Sequence, residues 1–200
     1  MTVGAVAGFV AAYLLGSVDF AVLVAKARGA DIYELGSGNP GAANVMRSLG
    51  WKAAVPVMLG DLAKGAVAAW VGTVLGGSEV AGFAAGFAAV LGHCFPVWHR
   101  FRGGKGVATA FGAVIWMEPL VGLALVVVWA LLLALTRVSS IGSLVATALM
   151  APGVALAGAS PWSLVWVGAI TVLVLTRHRE NIRRLAGGEE RSIRADTPPN

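Results

Sequence analysis

Apolar residues in this chain come in long runs, with no helical or strand spacing inside them. They fill positions of about 3–25, 53–76, 80–98, 106–118, 119–136, 142–157 and 162–176, separated by short polar breaks. A helix needs roughly 20 residues to cross a hydrocarbon layer of ~30 Å, so most of the runs are long enough, or nearly so, to span one. The runs at 106–118 and 142–157 are short, and helices apolar on every side offer no amphipathic face to settle their extent. The pattern predicts an all-α, polytopic integral membrane protein of about seven transmembrane helices, forming one domain over 1–191. A polar tail over 192–200 is expected to be disordered.

Composition agrees with that class. Of 200 residues 58% are hydrophobic, and the mean hydropathy is +0.79, more apolar than all but a few soluble domains. No basic residue precedes the first run and no small-residue cleavage site follows it, so it reads as a retained span. Cys94 is the single cysteine. It excludes an internal disulfide and is expected to be a small core residue.

Charge adds an orientation. Lys26, Arg28, Arg47 and Lys52 lie in one break, Arg100, Arg102 and Lys105 in another, Arg137 in a third, and Arg177 to Arg194 follow the last run. The intervening breaks near Gly77–Glu79, Glu118–Pro119 and Gly158–Pro161 have no basic residue. This alternation puts the N-terminus outside and the C-terminus in the cytoplasm. The net charge of +5 then reads as arginines facing anionic lipid, and no nucleic-acid partner is expected. Asp61 and Lys64, inside the second run at i, i+3, read as a buried pair.

Three polar, glycine-rich segments fall on the predicted cytoplasmic boundary. The first runs from Ser37 to Arg47: Gly38, Asn39 and Gly41 favour turns, Ser37, Asn39 and Asn44 offer neutral hydrogen-bonding groups, and Arg47 offers a planar cation for phosphate. The second holds Gly103, Gly104, Lys105 and Gly106 at the start of the fourth run, where helix N–H groups and one ammonium suit an anion. The third contains His178 and Asn181, which share a face if the last helix continues past the membrane. A shorter loop places Ser143, with Ser139 and Ser140, on the same side. His93, within a packed span, reads as a satisfied core histidine. The convergence points to a site for a phosphorylated, water-borne molecule beside a lipid-borne one.

At these residues the chain resembles the bacterial acyl-phosphate–glycerol-3-phosphate acyltransferases of the PlsY type. The motifs here read Gly-Ser-Gly-Asn-Pro-Gly-Ala-Ala-Asn with Arg47, then Gly-His…Pro…Phe-Arg-Gly-Gly-Lys-Gly-Val-Ala-Thr, then His-Arg-Glu-Asn-Ile-Arg-Arg-Leu. The resemblance implies transfer of a fatty acyl group from acyl phosphate to the 1-hydroxyl of sn-glycerol 3-phosphate, giving lysophosphatidic acid and phosphate, an early step of phospholipid synthesis. It implies no metal and no cofactor, partners that are glycerol 3-phosphate, fatty acyl phosphate and membrane lipid, and a bacterial plasma membrane location with the site facing the cytoplasm. Carried over, Ser37, Arg47, Lys105, His178 and Asn181 are the catalytic set, and Gly103, Gly104 and Gly106 are the phosphate loop. Either His178 or a donor phosphate oxygen takes the hydroxyl proton. Two positions depart from the resembled pattern: Ala43 replaces a common threonine, and Asp19 replaces a common proline, with Lys26 or Arg28 as its expected partner. A small-anion transporter and a non-catalytic divergent copy are the alternative readings.

Overall fold

The computed structural model describes residues 2–193, so all but the first two positions of the expected disordered tail lie outside the described residues. Every regular element among the described residues is helical. The order is α1 (Val3–Gly16), α2 (Phe20–Lys26), α3 (Ala42–Leu49), α4 (Trp51–Gly76), α5 (Glu79–Cys94), a short 3₁₀ turn at Val97–His99, then α6 (Val107–Met117), α7 (Pro119–Thr136), α8 (Ser139–Leu156), α9 (Pro161–Arg177) and α10 (Arg179–Ala186). Among the described residues five stretches are long and apolar enough to cross a membrane: Val3–Lys26, Trp51–Gly76, Glu79–His99, Pro119–Thr136 and Ser139–Leu156. Val107–Met117 and Pro161–Arg177 are apolar but shorter. The sixth run thus gains length from Ser139 onward, while the fourth stays short as its sequence suggests.

Three local expectations change. The first apolar run breaks at Ser17–Asp19. There Asp19 caps α2, its carboxylate accepting the Val22 N–H at 3.1 Å; Lys26 and Arg28 are not its partners, and Arg28 instead donates to the Leu49 carbonyl at 3.2 Å. An aspartate at the N-cap satisfies an otherwise orphaned N–H, and proline too suits a helix start, so the departure at this position preserves the break. The first polar segment is a turn only as far as Gly41, after which α3 begins and buries Val45. The last helix does not run on: α9 ends at Arg177, the backbone bends at His178, and α10 restarts at Arg179.

Packing depends on small residues, which let helices approach closely where lipid gives no hydrophobic drive between them. Helices α4, α5 and α6 form the centre, α1 packs on α4 and α5, and α9 on α5. Phe83, Val90, Phe111, Met150 and Ile170 fill the main core, with Cys94 buried among them. Where α4 crosses α6, a side-chain carbon on Gly112 would stand 1.9 Å from the Leu62 carbonyl oxygen, and one on Gly65 would stand 2.0 Å from that of Thr109. Neither backbone can yield without parting the helices. Gly112→Leu is therefore expected to lower the thermal midpoint in detergent sharply, by more than the ~1–3 kcal/mol of ordinary overpacking. Gly168→Ala in α9, where a Cβ meets nothing within 4 Å, should leave the midpoint unchanged or slightly raised.

Candidate functional site

The end of the bundle that carries the three polar segments is built by loops that grip one another. Asn44, near the start of α3, uses both halves of its amide on the turn before it: Oδ1 accepts the Ser37 N–H at 3.0 Å and Nδ2 donates to the Leu35 carbonyl at 2.9 Å. Gly38, at φ +67°, closes that turn. Arg177 at the end of α9 clasps the second segment, donating to the carbonyls of Gly104 and Gly103 at 3.2 and 2.9 Å while lying over the Phe95 ring. The Gly104 N–H is also engaged, donating to the His93 carbonyl at 3.1 Å. Gly106, at φ +87°, then turns the chain into α6.

A cavity of about 340 Å³ opens among these loops. Of the residues expected from sequence, Ser37, Asn39, Gly41, Asn44 and Arg47 line it from the first segment, Lys105 and Gly106 from the second, Ser143 from α8, and His178 and Asn181 from the third. Gly38 and Gly103 face a neighbouring cavity of about 650 Å³ instead. Gly104 lines neither and sits against His93 and the Pro40 carbonyl. The two cavities share Ser37, Asn39, Lys105 and Arg184, and the second adds Arg102, Arg177 and Arg179.

Lys105 donates to the Asn181 side-chain oxygen. Asn181 donates in turn to Glu190 at 2.7 Å, and Arg184 donates to the other Glu190 oxygen at 2.8 Å. Burial works against the Glu190 charge, but hydrogen bonds from Arg184 and Asn181 hold its carboxyl below the usual range. Burial, aided by Arg184, Arg47 and Arg177 and opposed by Glu190, lowers Lys105 to about 8. His178 falls to about 4, chiefly through burial, with Lys105 and Arg177 adding to the effect. Its Nδ1 lies 2.8 Å from the Val174 carbonyl. A carbonyl only accepts, so Nδ1 carries the hydrogen and Nε2 keeps its lone pair.

The other wall is apolar: Met58 and Leu62 of α4, Phe111 of α6, Val126, Trp129 and Ala130 of α7. At three- and four-residue spacing these residues look like ordinary lipid-facing positions, so sequence gave no signal for them. Asp61 and His93 also line the cavity. Lys64 Nζ is 2.8 Å from the Asp61 carboxylate, 2.9 Å from His93 Nδ1 and 2.7 Å from the Val18 carbonyl. The expected buried pair is thus a triad, and His93 belongs to the cavity wall. Arg184 and Glu190 were also missed as site residues, although the third segment contains or adjoins them. Among the described residues no cluster of His, Cys, Asp or Glu could hold a metal ion.

The arrangement offers fixed cations and donors at one end and hydrocarbon at the other. Residues 6–188 match the glycerol-3-phosphate acyltransferase family. A glycerol-3-phosphate acyltransferase of Ralstonia nicotianae is 47% identical over 191 residues, covering 92% of this chain and 91% of the relative. One from Thioalkalivibrio sulfidiphilus is 45% identical over 183 residues, covering 91% and 90%. The crystal structure of PlsY (YgiH), an integral membrane glycerol 3-phosphate acyltransferase, in its glycerol 3-phosphate form aligns with a TM-score of 0.89 at 40% identity, covering 94% of each chain. The form with lysophosphatidic acid aligns at 0.87.

Proposed function

The chain belongs to the glycerol-3-phosphate acyltransferase family and is a multi-pass membrane enzyme, and from that premise we propose that it acylates the 1-hydroxyl of glycerol 3-phosphate with a fatty acyl phosphate as donor. The family placement selects acyl transfer over anion transport. One observation carries the choice of donor: a single cavity joins Arg47, Lys105, His178 and Asn181 to an apolar wall from α4, α6 and α7. A donor that is itself half phosphate and half hydrocarbon matches both walls. The alternation of basic breaks along the sequence supports a plasma membrane protein with this cavity at the cytoplasmic face.

In this reading Ser37, Arg47 and Asn181 seat the phosphate of glycerol 3-phosphate. Lys105 and the first N–H groups of α6, at Gly106, Val107 and Ala108, face the donor phosphate. Gly103 and Gly104 act one step back: their peptide groups are held by Arg177 and His93 and shape the loop. The hydroxyl oxygen adds to the acyl carbon, the bond from that carbon to the bridging phosphate oxygen breaks, and phosphate leaves with the electron pair. The hydroxyl proton goes to a donor phosphate oxygen, whose ordinary pKa near 6 fits the task. His178, lowered to about 4, is neutral at working pH, and its Nε2 accepts a hydrogen bond from the hydroxyl and orients it. Ala43 lies in the cavity wall without the hydroxyl of the common threonine.

Purified protein mixed with palmitoyl phosphate and glycerol 3-phosphate should release phosphate only when both are present, with lysophosphatidic acid formed in equal amount. Activity with acyl-CoA alone would overturn the donor. Movement of glycerol 3-phosphate into proteoliposomes without acyl product would overturn the reaction.

A further inference from the structure

One buried ammonium decides which nitrogen of His93 carries the hydrogen. Lys64 Nζ and His93 Nδ1 are 2.9 Å apart. The Asp61 carboxylate oxygen stands farther from the same nitrogen, at 3.5 Å; with the ammonium nearer, and an ammonium only donating, Nδ1 accepts and the imidazole hydrogen resides on Nε2. The remaining Lys64 contacts, to the Val18 carbonyl and the Asp61 carboxylate, leave it no freedom to turn away, and the two charged side chains are only 1% and 4% exposed.

Nε2 is the nitrogen that the triad leaves available. Among the described residues it has no hydrogen-bond partner, while His93 lines the smaller cavity. It lies beside the glycine loop: a side-chain carbon on Gly104 would come within 2.3 Å of it. The His93 carbonyl accepts the Gly104 N–H, so imidazole and loop hold one position relative to each other. His93 and Asp61 line the same cavity as Arg47 and Lys105 and as the apolar Met58 and Leu62. An acyl phosphate lying across both walls has its carbonyl group where the two walls meet.

We propose that His93 is a further catalytic residue, a neutral donor whose Nε2–H meets the carbonyl oxygen of the acyl phosphate, with Lys64 as the positioning residue that fixes its tautomer. The proposal rests on the acyl phosphate reading above. When the hydroxyl oxygen adds to the acyl carbon, the carbonyl π pair moves onto oxygen, and the fixed N–H stabilises the charge that develops. On collapse the pair returns and the bond to phosphate breaks. The imidazole keeps its proton throughout, and Asp61 keeps Lys64 in place without touching substrate.

Two measurements test this. In protein carrying ¹⁵N-histidine, His93 should show hydrogen on Nε2 and none on Nδ1, and Lys64→Met should abolish that preference. In steady-state assays with palmitoyl phosphate and glycerol 3-phosphate, His93→Leu should lower kcat by about 10²–10³-fold while KM for glycerol 3-phosphate changes less than about threefold. His93→Gln, which retains an N–H donor, should recover about tenfold of that loss. Hydrogen on Nδ1 in the wild-type protein overturns the proposal even if the variants fold poorly. So does a folded His93→Leu protein with wild-type kcat. A wild-type protein inert toward palmitoyl phosphate would overturn the donor reading as well, whereas an active one indifferent to His93 would overturn this assignment alone.

Discussion

Lys105→Met is expected to lower kcat/KM for palmitoyl phosphate by about 10³-fold, the upper range for losing one preorganised donor in a water-excluded site. The ammonium stands at the point shared by both cavities, at the start of α6 and against Asn181. Methionine fills a similar volume, so the loss is of charge and of the Asn181 contact. Lys105→Arg should recover little, because a planar guanidinium does not replace a compact ammonium there. The same residue predicts a pH limb. With Lys105 lowered to about 8 in the free protein, kcat/KM should fall as pH rises through that value, since the neutral amine no longer binds phosphate. Bound phosphate favours the ammonium, so kcat itself should decline only at higher pH. A kcat/KM that stays flat to pH 10 would remove Lys105 from phosphate binding.

His178→Ala should reduce kcat by about 10²-fold, the cost of a misplaced nucleophile, with a smaller change in KM. The shape of the acid limb separates two roles. With a pKa near 4, His178 is already neutral across pH 5–9 and contributes no inflection there. If a donor phosphate oxygen takes the proton, the acid limb near pH 6 belongs to substrate and persists in the variant. Loss of that limb on substitution would make His178 the base. A rise confined to KM would leave it a binding residue only.

The polar boundary was readable because arginine, lysine, asparagine and histidine are costly in or beside an apolar span and so stand out. That is how Arg47, Lys105, His178 and Asn181 could be chosen and how the helical class was plain. What sequence hid was division of labour. Asn44 looks like a ligand, yet its amide holds the Ser37 turn. Gly103 and Gly104 look like a phosphate cradle; their carbonyls are taken by Arg177 and the Gly104 N–H by the His93 carbonyl. His93 is buried and bonded, as expected, but its partner Lys64 lies 29 positions away on another helix and could not be named from spacing. Short α3, with Asn44 and Arg47 among its eight residues, has too weak a propensity to show against its glycine and proline neighbours. The bend at His178 follows from a buried imidazole that bonds back to Val174, a contact no spacing rule supplies.

Arg177 gives the fold an order of completion. Helices α1 to α6 are synthesised before it, and they already contain Lys105 and the glycines, but the loop they form has its carbonyls unclasped until α9 arrives. His178, Asn181 and Glu190 emerge from the ribosome later still. On the roles proposed for these residues, a nascent chain that has seated most of its spans still lacks part of its site until the final segment is made.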